Sequence, residues 1–122
     1  MSKILIVDDE PVVLKFLGTL LNQKGYDVVL AEDGQKGFDR FLQERPDVIV
    51  LDLKMSGMDG LTVLRQVRTI NPQQPVIVLT GGTDEATEHQ VRALGVNELV
   101  EKENAVHLLD AALQRVLVQD LP

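Results

Sequence analysis

Ile4-Leu5-Ile6-Val7-Asp8-Asp9-Glu10-Pro11 packs four apolar residues, three acids and a proline into one short stretch. The apolar run is too short for a helix and rich in β-branched residues, so it reads as a strand buried on both faces. Pro11 suits the first turn of a following helix. The acids fall at the junction, where the chain leaves a strand and enters a helix.

The same arrangement recurs along the chain. Val48-Ile49-Val50-Leu51 follows Pro46 and closes on Asp52, and Val76-Ile77-Val78-Leu79 follows Pro75 and closes on Thr80. Val28-Val29-Leu30 is a further strand. Glu98-Leu99-Val100 is a shorter, more polar one that suits a sheet edge, with Lys102 just beyond it. Helical spacing fills the gaps. Val13, Phe16, Leu17, Leu20 and Leu21 predict the buried face of a first helix that stops near Gly25. Phe38, Phe41 and Leu42 mark a second, with Asp33 as its N-cap. Leu61, Leu64, Val67 and Ile70 mark a third, ended by Asn71-Pro72. The fourth, near 84–94, has only the thin stripe Val91 and Leu94. The fifth, near 105–118, carries Leu108, Leu109, Ala112, Leu113 and Val116. Strict alternation of strand and helix predicts an α/β fold, a parallel sheet covered on both faces. In such a sheet the carboxyl ends of the strands share one edge, where ligand sites form. Asp8, Asp9, Asp52, Thr80 and Lys102 are thereby expected at a single crevice.

Composition narrows the function classes. The 122 residues suffice for one domain with a real core. We expect that domain to span 1–118, with 119–122 as a tail or the start of a linker. No apolar stretch approaches the roughly 20 residues of a membrane span. Met1-Ser2-Lys3 runs straight into the first strand, leaving no room for a leader, so a cytoplasmic location is expected. Cysteine is absent, which rules out disulfides and thiolate metal sites. A formal charge of −7 opposes direct binding to nucleic acid. Phe16, Tyr26, Phe38 and Phe41 are the only aromatics and form no platform for stacking bases.

The polar residues at the strand ends form a coherent chemical set. Oxygen ligands from two or three carboxylates suit Mg²⁺ better than zinc, although acids before a helix also serve as N-caps. Asp52 can act as a nucleophile and form an aspartyl-phosphate, with a metal offsetting the gathered negative charge. Alone, it also reads as a solvated strand-end residue. Gly57 and Gly60 bracket Met58-Asp59 in a tight loop whose Asp59 can cap the third helix. Thr80-Gly81-Gly82 offers a hydroxyl and then room for a phosphoryl group to approach. Lys102 supplies a point charge for phosphoryl oxygens. His89 and His107 have no local ligand partner. No P-loop, nucleophile elbow or dinucleotide fingerprint is present.

With these motifs in hand, the chain resembles the receiver domain of two-component response regulators, from Lys3 to about Val118. The resemblance rests on Ile6-Val7-Asp8-Asp9-Glu10, on Val50-Leu51-Asp52-Leu53-Lys54-Met55 with Gly57-Met58-Asp59-Gly60, on Leu79-Thr80-Gly81, and on Lys102. It implies a flavodoxin-like (βα)5 three-layer sandwich with a five-stranded sheet of order 2-1-3-4-5. It implies that Asp8 and Asp9 help hold Mg²⁺, directly or through water, with the backbone carbonyl of Lys54 as a further ligand. Asp52 would accept a phosphoryl group from a histidine kinase or a histidine phosphotransfer protein. Thr80 and Lys102 would bind the phosphoryl oxygens. The face formed by the fourth helix, fifth strand and fifth helix would then change, and could serve a homodimer or a C-terminal output domain.

Three positions depart from the family pattern. Glu103 stands where proline usually follows the lysine, so a trans junction is expected there, a cis non-proline bond costing about 3–4 kcal/mol. Leu99 replaces the usual aromatic three residues before the lysine. Ser56 replaces a common loop proline. The expected role is a phospho-accepting switch rather than an enzyme. A phosphate-independent interaction module is the alternative. A small Asp-nucleophile phosphohydrolase is a weaker one, because Lys54 stands where a general acid is wanted. A flavin site lacks its phosphate cradle and its aromatics.

Overall fold

The computed structural model describes residues 1–82 and 84–119. Five strands, β1 (Lys3–Val7), β2 (Asp27–Ala31), β3 (Val48–Asp52), β4 (Val76–Thr80) and β5 (Glu98–Glu101), alternate with five helices. These are α1 (Pro11–Gln23), α2 (Gly34–Glu44), α3 (Gly60–Ile70), α4 (Glu85–Ala93) and α5 (Ala105–Gln119). A single 3₁₀ turn, Lys102–Asn104, joins β5 to α5. The sheet is parallel throughout, in the order β2-β1-β3-β4-β5, as expected. Of the expected tail, Gln119 continues α5 and 120–122 lie outside the described residues.

Alternation of side chains along each strand splits the core in two. Ile4, Ile6, Val48, Val50, Ile77 and Leu79 face Leu14, Leu17 and Leu21 of α1 and Leu109, Leu113 and Val116 of α5. Leu5, Val7, Ile49, Leu51, Val76 and Val78 face Phe41 of α2, Val63, Leu64 and Val67 of α3, and Val91 of α4. Each central strand therefore carries four consecutive apolar residues, because neither of its faces meets water. Each such side chain contributes about 1.5–3 kcal/mol by leaving water.

Capping follows the sequence. Asp33 accepts from the Lys36 N–H at 2.7 Å, and Asp59 from the Thr62 N–H at 2.8 Å. Asp84 does the same for α4 from Thr87. α4 buries only Val91, with Leu94 half-buried, so its thin stripe is real.

The first helix differs from expectation at Phe16, while Leu17 and Leu21 are buried and Val13 and Leu20 half-buried as the spacing suggested. Its buried face is Leu14, Leu17, Gly18 and Leu21, while Phe16 is 55% exposed. Gly18 is buried in its place on that face, and a Cβ there would lie 3.1 Å from Leu30 Cδ2, so the bare glycine lets α1 lie close to β2. Leu42, Ile70 and Leu108, expected inside, are also exposed.

Candidate functional site

Asp8 follows the last residue of β1, and its own N–H continues the ladder to the Ala31 carbonyl at 3.1 Å. Asp52 ends β3 and Thr80 ends β4 on the adjacent strand. Lys102 follows β5 in the 3₁₀ turn. The shared register of a parallel sheet brings these ends to one edge.

Lys102 Nζ draws the group together. It lies 3.0 Å from Asp8 Oδ2, 3.1 Å from Asp52 Oδ2 and 2.5 Å from Glu10 Oε1. It donates to Asp8 Oδ1 at 3.2 Å as well. Exposure rises outward from 2% at Asp52 to 17% for the Lys102 side chain and 61% for that of Glu10. The Asp52 carboxylate thus lies under the ammonium, with a solvated carboxylate at the rim. Desolvation raises the Asp52 pKa above its usual value, and the Lys102 hydrogen bond offsets part of that rise. Burial opposes the charge on Lys102, yet its bonds to Glu10, Asp8 and Asp52 outweigh burial and its pKa is raised.

Asp9 faces a different partner. Its Oδ2 accepts the Ser56 N–H at 2.9 Å, tying the acid pair to the loop between β3 and α3. Lys54 is exposed and donates its backbone N–H to Asp52 Oδ1 at 3.3 Å. Thr80 Oγ1 accepts the Gly82 N–H at 3.3 Å. Beside it, Thr80, Gly81, Gly82, Glu101 and Glu103 line a cleft of about 200 Å³. The Lys102–Glu103 bond is trans, as expected at this junction.

Two site residues escaped the sequence reading. Glu10 looked like a helix cap, but its side chain makes no cap bond and turns to Lys102. Only the position of Lys102 reveals that. Gly60 looked like half of a loop bracket, but a Cβ there would sit 2.2 Å from the Asp52 carbonyl oxygen. The start of α3 is therefore pressed against the backbone of Asp52.

The donor set fits a hard divalent ion. Asp8, Glu10 and Asp52 offer carboxylate oxygens within 4.8 Å of one another. Asp8 Oδ2 is fully buried and makes no hydrogen bond, despite its 3.0 Å ionic contact with Lys102. An unsatisfied buried carboxylate oxygen of this kind is what a cation completes.

Among known proteins, the model of the response regulator receiver domain matches residues 4–114. A probable transcriptional regulator, ycf27 of Guillardia theta, is 39% identical over 116 residues, covering 95% of this chain and 45% of that protein. The response regulator MprA of Mycolicibacterium vanbaalenii is 35% identical over 122 residues, covering 98% of this chain and 52% of its own length. The chain thus spans about half the length of these curated relatives. The solved structure of the Vibrio cholerae chemotaxis protein CheY4 superposes with a TM-score of 0.89 at 30% identity, covering 95% of this chain and 98% of that one.

Proposed function

This chain belongs to the response regulator receiver domain family, and from that premise we propose that it is a phosphorylation-dependent switch with Asp52 as phospho-acceptor. The observation that carries the reading is one ammonium, Lys102 Nζ, within 3.1 Å of both Asp8 and Asp52. Residues remote in sequence meet there in the arrangement that phosphoryl transfer to a carboxylate needs.

In this mechanism one Asp52 oxygen attacks phosphorus as the bond from phosphorus to the donor's histidine nitrogen breaks. The product is an aspartyl-phosphate and a free imidazole. Mg²⁺, when bound, neutralises charge on the acceptor and on the phosphoryl oxygens. Asp8, Asp52 and the Lys54 carbonyl would hold it, with Asp9 acting through water. Lys102 moves its ammonium to a phosphoryl oxygen, and the Thr80 hydroxyl donates to another. The glycines after Thr80 leave room for that oxygen to approach. Phosphate binds better in the rearranged conformation, so the population of the α4-β5-α5 face shifts. The single buried apolar residue of α4 supports its role as the element that moves.

The donor is a histidine kinase or a histidine phosphotransfer protein. The location is cytoplasmic, and no described helix is long and apolar enough to cross a membrane. Homodimerisation and any output domain would use the α4-β5-α5 face and the chain beyond α5. Residues 1–118 form the functional unit.

Incubation with acetyl phosphate and Mg²⁺ tests the reading. One stable, hydroxylamine-sensitive phosphoryl group is expected, lost in Asp52→Asn, with amide NMR shifts at Thr80, α4 and β5. A phosphate-independent interaction module is the second reading, favoured by Leu99 already packed half-buried against the second core. Intact amide spectra without any change on adding beryllofluoride and Mg²⁺ would select it.

A further inference from the structure

We propose that Glu10 is a positioning residue that holds Lys102 in the resting site and competes for its ammonium with a phosphoryl group on Asp52. The inference rests on the phospho-acceptor reading above.

The geometry of Glu10 is specific. Its backbone N–H donates to Asp8 Oδ1 at 2.9 Å, and Pro11 follows it. Its φ of −91° and ψ of 108° are the extended conformation that a following proline favours. Both neighbours fix the backbone, and the side chain, free of any capping bond, reaches Lys102 instead. Its 2.5 Å contact is shorter than those from Nζ to Asp8 and Asp52.

An ammonium has three donors, and here it bonds three carboxylates, Asp8, Glu10 and Asp52. To bond a phosphoryl oxygen while it still holds Asp52, Lys102 must release Asp8 or Glu10. Asp8 is fully buried, so water cannot take the place of the ammonium there. Glu10 is mostly exposed, so water replaces the ammonium at little cost. Glu10 is therefore the partner that yields. Until it does, it occupies the donor that the phosphoryl group needs and adds a negative charge at the mouth of the site. It sets a threshold for phosphorylation.

The test uses the full chain, with acetyl phosphate and saturating Mg²⁺. The Asp52 oxygen forms its bond to phosphorus as the bond from phosphorus to the acetyl oxygen breaks, releasing acetate. Wild type, Glu10→Gln, Glu10→Asp and Asp52→Asn are compared, each checked for its melting temperature. Glu10→Gln is expected to phosphorylate about threefold faster or more at low ionic strength, with the difference shrinking as salt screens the rim charge. Glu10→Asp, a charged side chain one methylene shorter, is expected to lie between. In metal-free protein the side-chain ammonium NMR signal of Lys102 is expected to shift in Glu10→Gln. Labelled wild type with Glu10→Gln equal or slower overturns the proposal alone, and a slower rate with weaker Mg²⁺ binding would make Glu10 a metal ligand. Folded wild type that takes no phosphoryl group overturns the phospho-acceptor reading, and this proposal with it.

Discussion

Gly60 and Asp52 are in backbone contact: the N-terminus of α3 approaches so closely that a Cβ on Gly60 would lie 2.2 Å from the Asp52 carbonyl oxygen and 2.6 Å from the Leu53 Cα. The Gly60 N–H also donates to the Leu53 carbonyl at 3.0 Å. Asp52 and the helix behind it therefore form one close-packed corner. Gly60→Ala must move that backbone, and we expect a loss of about 2–4 kcal/mol by urea denaturation, within the range of overpacked sites. A loss below about 0.5 kcal/mol would contradict the contact.

Asp52→Asn is expected to stabilise the fold at neutral pH. The folded Asp52 pKa is raised by desolvation above its unfolded value. Stability tied to its proton is thus complete below the unfolded pKa and is lost as pH rises through the folded one. At neutral pH the buried charge is a net penalty, and removing it should add on the order of 1 kcal/mol, a few degrees in melting temperature. The gap should close as the pH is lowered to about 4. A variant less stable than wild type at neutral pH would refute this.

Tyr26 is the only tyrosine, so its titration is directly visible in ultraviolet absorbance. Burial and its hydrogen bond to Asp110 at 2.9 Å push its pKa up to about 12. The sign follows: its contribution is complete below the unfolded pKa near 10 and disappears as pH climbs toward about 12. Tyr26→Phe should flatten that part of the stability–pH curve. Ionisation near 10 in the folded protein would show that the link between the start of β2 and α5 is absent.

Arg68 joins the end of α3 to the end of α4. Its guanidinium donates to the carbonyls of Leu94, Gly95, Gln74 and Asn71. Its pKa is lowered by desolvation, the mark of a partly buried cation. Arg68→Ala strands those carbonyls and should lower stability by about 2–3 kcal/mol. Hydrogen exchange should rise first around residues 91–97. Unchanged protection there would remove Arg68 from the support of α4.

Exposed Phe16 beside buried Leu17 predicts a contrast between two neighbours. Leu17→Ala opens the core and should lower stability by about 2–5 kcal/mol. Phe16→Ser changes an exposed side chain and should stay within about 0.5 kcal/mol of wild type by chemical denaturation. The reverse order would contradict the observed burial of the two side chains.

The sequence alone determined the fold and most of the crevice. Four-residue apolar runs can be satisfied only when both faces are covered, which dictates the parallel sheet, and the polar residues that end them must then share its edge. Asp8, Asp52, Thr80 and Lys102 were legible because each closes such a run or follows one. Tertiary structure alone decided which acids share the ammonium. Asp8 and Asp52 do, Glu10 joins them from just before α1, and Asp9 turns to Ser56. Spacing along a chain fixes the face of a strand, but side chains at a turn aim wherever distant partners draw them, and Lys102 lies 92 positions from Glu10. The exposure of Phe16 was hidden for a similar reason: which apolar side chains of a helix end up covered depends on the elements it packs against, as where Gly18 meets Leu30, and no periodicity within one element records that.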